Sequence, residues 1–187
     1  MKTDITRALV AEHRLILRMI TLLELNAPLT AAGHYTNWQF YLDGVDFIRN
    51  YADRFHHAKE EDVLFEALIT NGMPRENSPI AAMLMEHDQG RAHVKAMETA
   101  AQEALAGQSG RGAIIAEHAL AYAALLREHI DKEDTILYPL AERVIPDTMR
   151  PGIVEGYASA ETKAPADFTL RYEAIVAGYE QEARESA

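Results

Sequence analysis

The feature that most constrains the fold is a series of long helical patterns with short interruptions. In the first pattern, Leu9, Ile16, Ile20 and Leu23 recur at the spacing of one helix face. Similar patterns, bounded by Gly, Pro, Asn or Ser, predict four helices over about 5–25, 36–70, 78–106 and 113–144. Strand-like alternation is not found. The sequence therefore predicts an all-α fold, an up-down-up-down four-helix bundle.

The C-terminal part has a different pattern. A stretch rich in Pro and Gly follows the fourth helix and predicts a loop, and an amphipathic helix is expected from Asp167 to about Ala183. We expect residues 1–146 to form the bundle and residues 147–187 to form a loop and an additional helix packed on its outside. A chain of 187 residues is close to the size of a single domain.

Composition excludes several classes of function. The net charge of −11 disfavours nucleic acid and anionic membrane surfaces as partners. The chain has no cysteine, so a metal would have to be held by nitrogen and oxygen. The longest apolar run has eight residues, too few to span a bilayer, and no signal-peptide core is found, so we expect a cytoplasmic protein. The oligomeric state is left open, with a homodimer among the alternatives.

A motif occurs twice in the predicted bundle. The second helix contains HHAKEEDVLF, starting at His56, and the fourth contains HIDKEDTILY, starting at His129. Aligning the two copies pairs His56 with His129 and Glu60 with Glu133. Residues four apart lie on one helix face, one turn from each other, so each pair can reach the same point in the core.

The other two helices carry a second matched pair, Glu12-His13 and Glu86-His87. Both histidines share a face with apolar residues, and helix lengths allow all four inward histidines to lie in one layer. Burying four imidazoles and two carboxylates costs several kcal/mol for each unpaired charge, and a cation offsets this cost simply. The pattern therefore predicts a metal site in the bundle core.

These motifs, together with EHDQGR in the third helix, resemble the hemerythrin-like domain, also called the HHE cation-binding domain, over about residues 4–145. The resemblance implies a non-haem diiron site whose two glutamates bridge the metals. Zinc or manganese would be substitutes for the two iron ions. The implied metal ligands are His13, His56, Glu60, His87, His129 and Glu133. They would fill about eight of roughly twelve coordination positions, leaving the rest for water, an oxo bridge or a substrate.

The resemblance also bears on function. Oxygen-carrying hemerythrins have a fifth histidine where this chain has Arg91, which argues against reversible oxygen carriage. The same ligand set resembles bacterial hemerythrin-like proteins linked to peroxide breakdown, nitric oxide chemistry and iron-sulfur repair. We therefore expect a diiron protein that binds or reduces a small oxidant: dioxygen, peroxide or nitric oxide. The alternatives are a non-catalytic protein that senses or stores oxygen, nitric oxide or iron, and an iron donor for iron-sulfur repair.

Four neighbouring residues are open alternatives, and no catalytic residue is assigned. His57 and Glu61 are also four apart and would replace the neighbouring pair if the second helix were rotated. Asp134 has the spacing of a ligand in the oxygen carriers, although the duplicated motif favours Glu133. Tyr122 precedes His129 by seven residues and either approaches the metals or packs in the core.

Overall fold

A computed structural model describes residues 2–185. Met1, Ser186 and Ala187, which end the two predicted units, lie outside the described residues. Within this range the protein has six helices and no strand. They are α1 (Arg7–Ala31), α2 (Trp38–Phe47, Ile48–His57, Glu60–Leu64 and Phe65–Thr70 in succession), α3 (Pro79–Leu105), α4 (Arg111–Lys132, Glu133–Leu137 and Tyr138–Val144 in succession), α5 (Arg150–Glu161) and α6 (Phe168–Glu185). Between residues 2 and 185, no helix has the length and apolar character needed to cross a membrane.

Helices α1 to α4 form the predicted bundle. The third helix begins as expected, because the Ser78 side chain accepts a hydrogen bond from the Ala81 amide and Pro79 occupies the first turn. The buried apolar residues form two clusters, one around Leu23, Phe40 and Val94 and the other around Leu9, Leu64 and Leu137. In α1, α2 and α3 the histidines of these motifs lie between the two clusters, and in α4 Glu133 lies between Ile130 of the first cluster and Leu137 of the second. The fold thus encloses a polar layer between two apolar cores.

The first helix is longer than predicted. An end near Leu25 was expected because Asn26 and Pro28 follow, but α1 continues to Ala31 with Pro28 inside it. Proline removes one backbone donor. Packing outweighs that loss, because Ala27 is fully buried and the Thr30 hydroxyl lies 2.7 Å from that of Tyr41.

The predicted loop of the C-terminal part contains a helix, so that part of the prediction was wrong. Helix α5 has a proline in its first turn, where proline is tolerated, and Gly156 faces α2. A Cβ at Gly156 would lie 2.9 Å from the Val63 side chain, so the glycine permits close packing instead of breaking the helix. The expected C-terminal helix is α6, which packs on α1 and α2 through Tyr172 and Val176.

Candidate metal centre

The parts of α2 and α4 that carry the repeated motif are largely π-helical. The segments Ile48–His57, Glu60–Leu64 and Glu133–Leu137 have this form. Their i→i+5 hydrogen bonds place more residues in each turn than an α-helix does, and such segments are frequent at functional sites. As a result, the adjacent residues His56 and His57 are both buried in the bundle.

Four buried histidines form two pairs. The Nε2 atoms of His13 and His56 lie 3.0 Å apart, and those of His87 and His129 are also separated by 3.0 Å. Imidazole nitrogens bind a metal ion at about 2.1 Å, so two of them at adjacent positions of an octahedral ion, a right angle apart, would lie about 3.0 Å from each other. The separation in each pair therefore fits two adjacent ligands of one metal ion.

Each of these histidines has a carboxylate partner at its other ring nitrogen. The Nδ1–carboxylate distances are 2.9 Å for His13 and Asp134, 2.9 Å for His56 and Glu12, 2.7 Å for His87 and Glu61, and 2.9 Å for His129 and Glu86. A proton donated from Nδ1 leaves a lone pair on Nε2, as is typical of metal-binding histidines. When both rings of a pair are neutral, their facing lone pairs cannot hydrogen-bond to each other, whereas a cation would satisfy both.

Two buried glutamates connect the pairs. The Glu133 oxygens lie 3.4 Å from His13 Nε2 and 3.2 Å from His129 Nε2. The Glu60 oxygens lie 3.8 Å from His56 Nε2 and 3.6 Å from His87 Nε2. Glu60 Oε2 and both Glu133 oxygens are buried without a hydrogen-bond partner among the described residues. Orphaned carboxylate oxygens at this depth fit the donor set of a metal ion.

Without a metal ion, the pKa values of the two buried glutamates in this layer are shifted in opposite directions. Burial, followed by the nearby Glu133 carboxylate, raises the pKa of Glu60 well above its ordinary value. Burial opposes ionisation of Glu133 too, but without a metal the protonated imidazoles of His129 and His13 hold its pKa well below the ordinary value. A cation between the two carboxylates would favour the ionised form of both.

The structure brings all six predicted residues together in two adjoining groups. One group contains His13, His56, Glu60 and Glu133, and the other contains His57, Glu60, His87 and His129. Within each group, one potential ligand atom per residue lies within 4.8 Å of the others.

His57 joins this layer without displacing its neighbour. Its ring stacks on His87 with centroids 3.8 Å apart, and Glu61 accepts from His87 instead of pairing with His57. The rotated arrangement of the second helix is therefore not found. Arg91 extends outward and forms ion pairs with Asp53 and Glu61. Helix α3 therefore has no imidazole at position 91, but α2 places one, His57, in the same layer.

Two tyrosines and one aspartate lie around the groups. The Tyr138 hydroxyl donates a hydrogen bond to Glu60 and lies 3.4 Å from His13 Nε2. This role of Tyr138 was not predicted from the sequence. The motif alignment nevertheless pairs Tyr138 with Phe65, so a hydroxyl occurs in one copy only. Tyr122 lines a cavity next to His57, and Asp134 serves as the partner of His13 outside the groups.

Comparison with known proteins agrees with this geometry. The family model of the hemerythrin HHE cation binding domain matches residues 4–141, which cover most of the chain and include both groups. Neither curated proteins nor solved structures give a significant match. By the family-model match, the chain belongs to the hemerythrin HHE cation-binding domain family.

Proposed function

We propose that the protein holds two iron ions at the two groups and binds or reduces a small oxidant: dioxygen, peroxide or nitric oxide. One observation carries this proposal. Glu60 and Glu133 each extend one oxygen toward each histidine pair, the arrangement expected of carboxylates shared by two metal ions. Imidazole and carboxylate donors suit iron, and they also accept manganese or zinc.

The residues have separate tasks in this proposal. His13 and His56 hold one ion, His87 and His129 hold the other, and the two glutamates lie between them. The bound iron pair would supply the electrons exchanged with the oxidant. The outer carboxylates fix the orientation and tautomer of each histidine, and the Tyr138 hydroxyl provides a proton held at Glu60.

A metal that only stabilises the fold would not explain the cavity beside the second group. Structural sites are closed by protein ligands, whereas reactive sites keep positions for a substrate. Here a cavity lined in part by His57, His87 and Tyr122 lies directly beside the second group. A small molecule therefore has space next to the proposed metals.

Metal analysis and an optical spectrum of protein from iron-fed cells test the proposal. We expect about two iron ions per chain and near-ultraviolet absorption, which a zinc site lacks. The diferric protein should then consume hydrogen peroxide by converting two molecules into two of water and one of dioxygen. Iron content well below one ion per chain would overturn the assignment.

Mixing the reduced protein with dioxygen separates reaction from carriage. Rapid, irreversible oxidation of the iron would support a redox protein. A long-lived adduct that releases dioxygen under vacuum would instead indicate a carrier or sensor. This test matters because His57 offers a fifth imidazole, so Arg91 alone does not exclude carriage.

A further inference from the structure

The two halves of the bundle match closely at the proposed metal layer but differ beside it. Helix α3 has Gly90 three residues after its histidine, where α1 has Ile16 after His13. Helix α2 has His57 at the position where α4 has Ile130. Ile16 and Ile130 are both buried and fill the space on their side. The side of Gly90 and His57 therefore has smaller and more polar side chains.

A cavity of about 80 Å³ occurs on this second side. Its lining includes His57, His87 and Tyr122, and Gly90 forms part of the wall. A Cβ added at Gly90 would contact the Tyr122 ring at 3.4 Å. The missing side chain at Gly90 is thus one reason why the space beside Tyr122 exists.

The cavity is lined by two buried polar atoms that make no hydrogen bond to any described residue, the Tyr122 hydroxyl and His57 Nδ1. Asp53 Oδ1 lies 3.5 Å from His57 Nδ1, whereas the Tyr122 hydroxyl has no such charged neighbour among the ion pairs of the described residues. Buried polar groups in proteins are normally satisfied by protein, water or a ligand. Arg91 and Asp53 also line the cavity. They form an ion pair in which Arg91 Nη2 lies 2.7 Å from Asp53 Oδ1, and the arginine is partly exposed.

We propose that this cavity is the chamber in which the small oxidant binds beside the metals, held by hydrogen bonds to the Tyr122 hydroxyl and His57 Nδ1. The ligand class is a compact molecule that both donates and accepts hydrogen bonds, as hydrogen peroxide does. An apolar diatomic gas would leave the Tyr122 hydroxyl without a hydrogen bond. The inference rests on the proposed function, because it names the substrate class and the binding place of the same site.

Tyr122→Phe is the sharpest test, because it keeps the ring and removes only the hydroxyl. Gly90→Val, which fills part of the space, is the second variant, and Ile16→Val at the matching position of α1 is the control. On the iron-loaded protein we expect Tyr122→Phe to raise KM for peroxide about tenfold with little change in kcat, the effect of one lost hydrogen bond. Gly90→Val should raise KM at least as much, and Ile16→Val should leave it unchanged.

Azide binding gives a readout that does not depend on turnover. Its infrared stretch reports binding to either iron-loaded or zinc-loaded protein. We expect Tyr122→Phe to weaken azide binding about tenfold and to shift the stretch, with Ile16→Val behaving like the wild type. Equal KM and equal azide affinity in the wild type, Tyr122→Phe and Gly90→Val would overturn the proposal that the oxidant binds in this cavity.

The two proposals fail in different ways. The proposed function would be overturned if the wild-type protein binds metal but neither consumes peroxide nor reacts with other oxidants. In that case the azide titration would still test whether a small ligand binds in the cavity. Wild-type protein that binds no metal would overturn both.

Discussion

At the scale of single residues, the metal layer depends on how each polar atom is used. Every histidine of the two pairs gives its Nδ1 proton to a carboxylate, whereas three of the four oxygens of Glu60 and Glu133 have no hydrogen-bond partner. Burial of an unpaired carboxylate is costly, so these two residues are expected to gain most from a bound cation.

Replacing either glutamate should therefore reduce metal binding. We expect Glu60→Ala or Glu133→Ala to lower the metal content from about two ions per chain to about one or fewer, because each carboxylate lies between both histidine pairs. Metal analysis after gel filtration measures the change. Glu128→Ala, at an exposed position of α4, is the control. Unchanged metal content in both glutamate variants would refute the assignment.

The adjacent histidines of α2 provide a second test at this scale. His56 Nε2 pairs with His13 Nε2, whereas His57 stacks on His87 and its Nδ1 lies 3.5 Å from Asp53 Oδ1 without a hydrogen bond. We expect His56→Ala to empty the site and His57→Ala to retain most of the metal with a weaker affinity for one ion. Titration with Fe(II) or Zn(II) measures both. Loss of all metal in His57→Ala alone would show that His57 is the principal ligand of α2.

Six residues of this layer were predictable from the sequence because the motif occurs twice, and one copy checks the other. The sequence did not establish the place of His57, since an ideal α-helix would turn either His56 or His57 inward but not both. The π-helical turn that buries both depends on packing throughout the bundle. The outward direction of Arg91 depends on Asp53 and Glu61, which no spacing rule links to it.

At the scale of helices, the boundaries that were predicted well have local signals. Ser78 and Pro79 begin α3 as expected, whereas α1 and α5 contain prolines or glycines that usually interrupt helices. Tertiary packing decides the latter cases, since Ala27 is buried in the core and Gly156 allows α5 to approach Val63.

Helix α5 also makes the two copies of the motif unequal. Lys59 pairs with Glu12 and, at 3.0 Å, with Glu161 at the end of α5, so its side chain is fully buried. The matching Lys132 pairs with Glu86, but 36% of its side chain is exposed. The same lysine-carboxylate contact therefore lies in two different environments.

This difference predicts unequal losses of stability. Lys59→Met should lower the free energy of unfolding by about 3–5 kcal/mol, because the ion pair of the fully buried Lys59 with Glu12 is shielded from water on both sides. Lys132→Met should cost about 1 kcal/mol or less, as expected for a partly exposed pair. Urea unfolding of both variants in the same metal state measures the difference. Equal losses would show that α5 does not bury Lys59 in solution.

At the scale of the whole molecule, the polar layer interrupts what would otherwise be one continuous core. Leu9, Leu64 and Leu137 lie on one side of it, and Leu23, Phe40 and Val94 lie on the other. Without metal, the layer holds buried imidazoles and carboxylates whose charges are incompletely matched. The two apolar clusters must then compensate for the cost of that layer, and the stability of the entire bundle should depend on metal.

Metal addition should consequently raise the melting temperature of the whole protein. Metal that binds only the folded state adds about 2.7 kcal/mol when its free concentration is about 100 times Kd. For a chain of this size each kcal/mol shifts Tm by about 2–4 °C, so a rise of about 5–11 °C is expected. Differential scanning calorimetry of chelated and metal-loaded protein measures it. Glu133→Ala should show a much smaller rise and Glu128→Ala the full one, since only the first removes a carboxylate from the layer. A Tm that is identical with and without metal in the wild type would mean that the layer is stable by itself and that a cation is not what satisfies its orphaned oxygens.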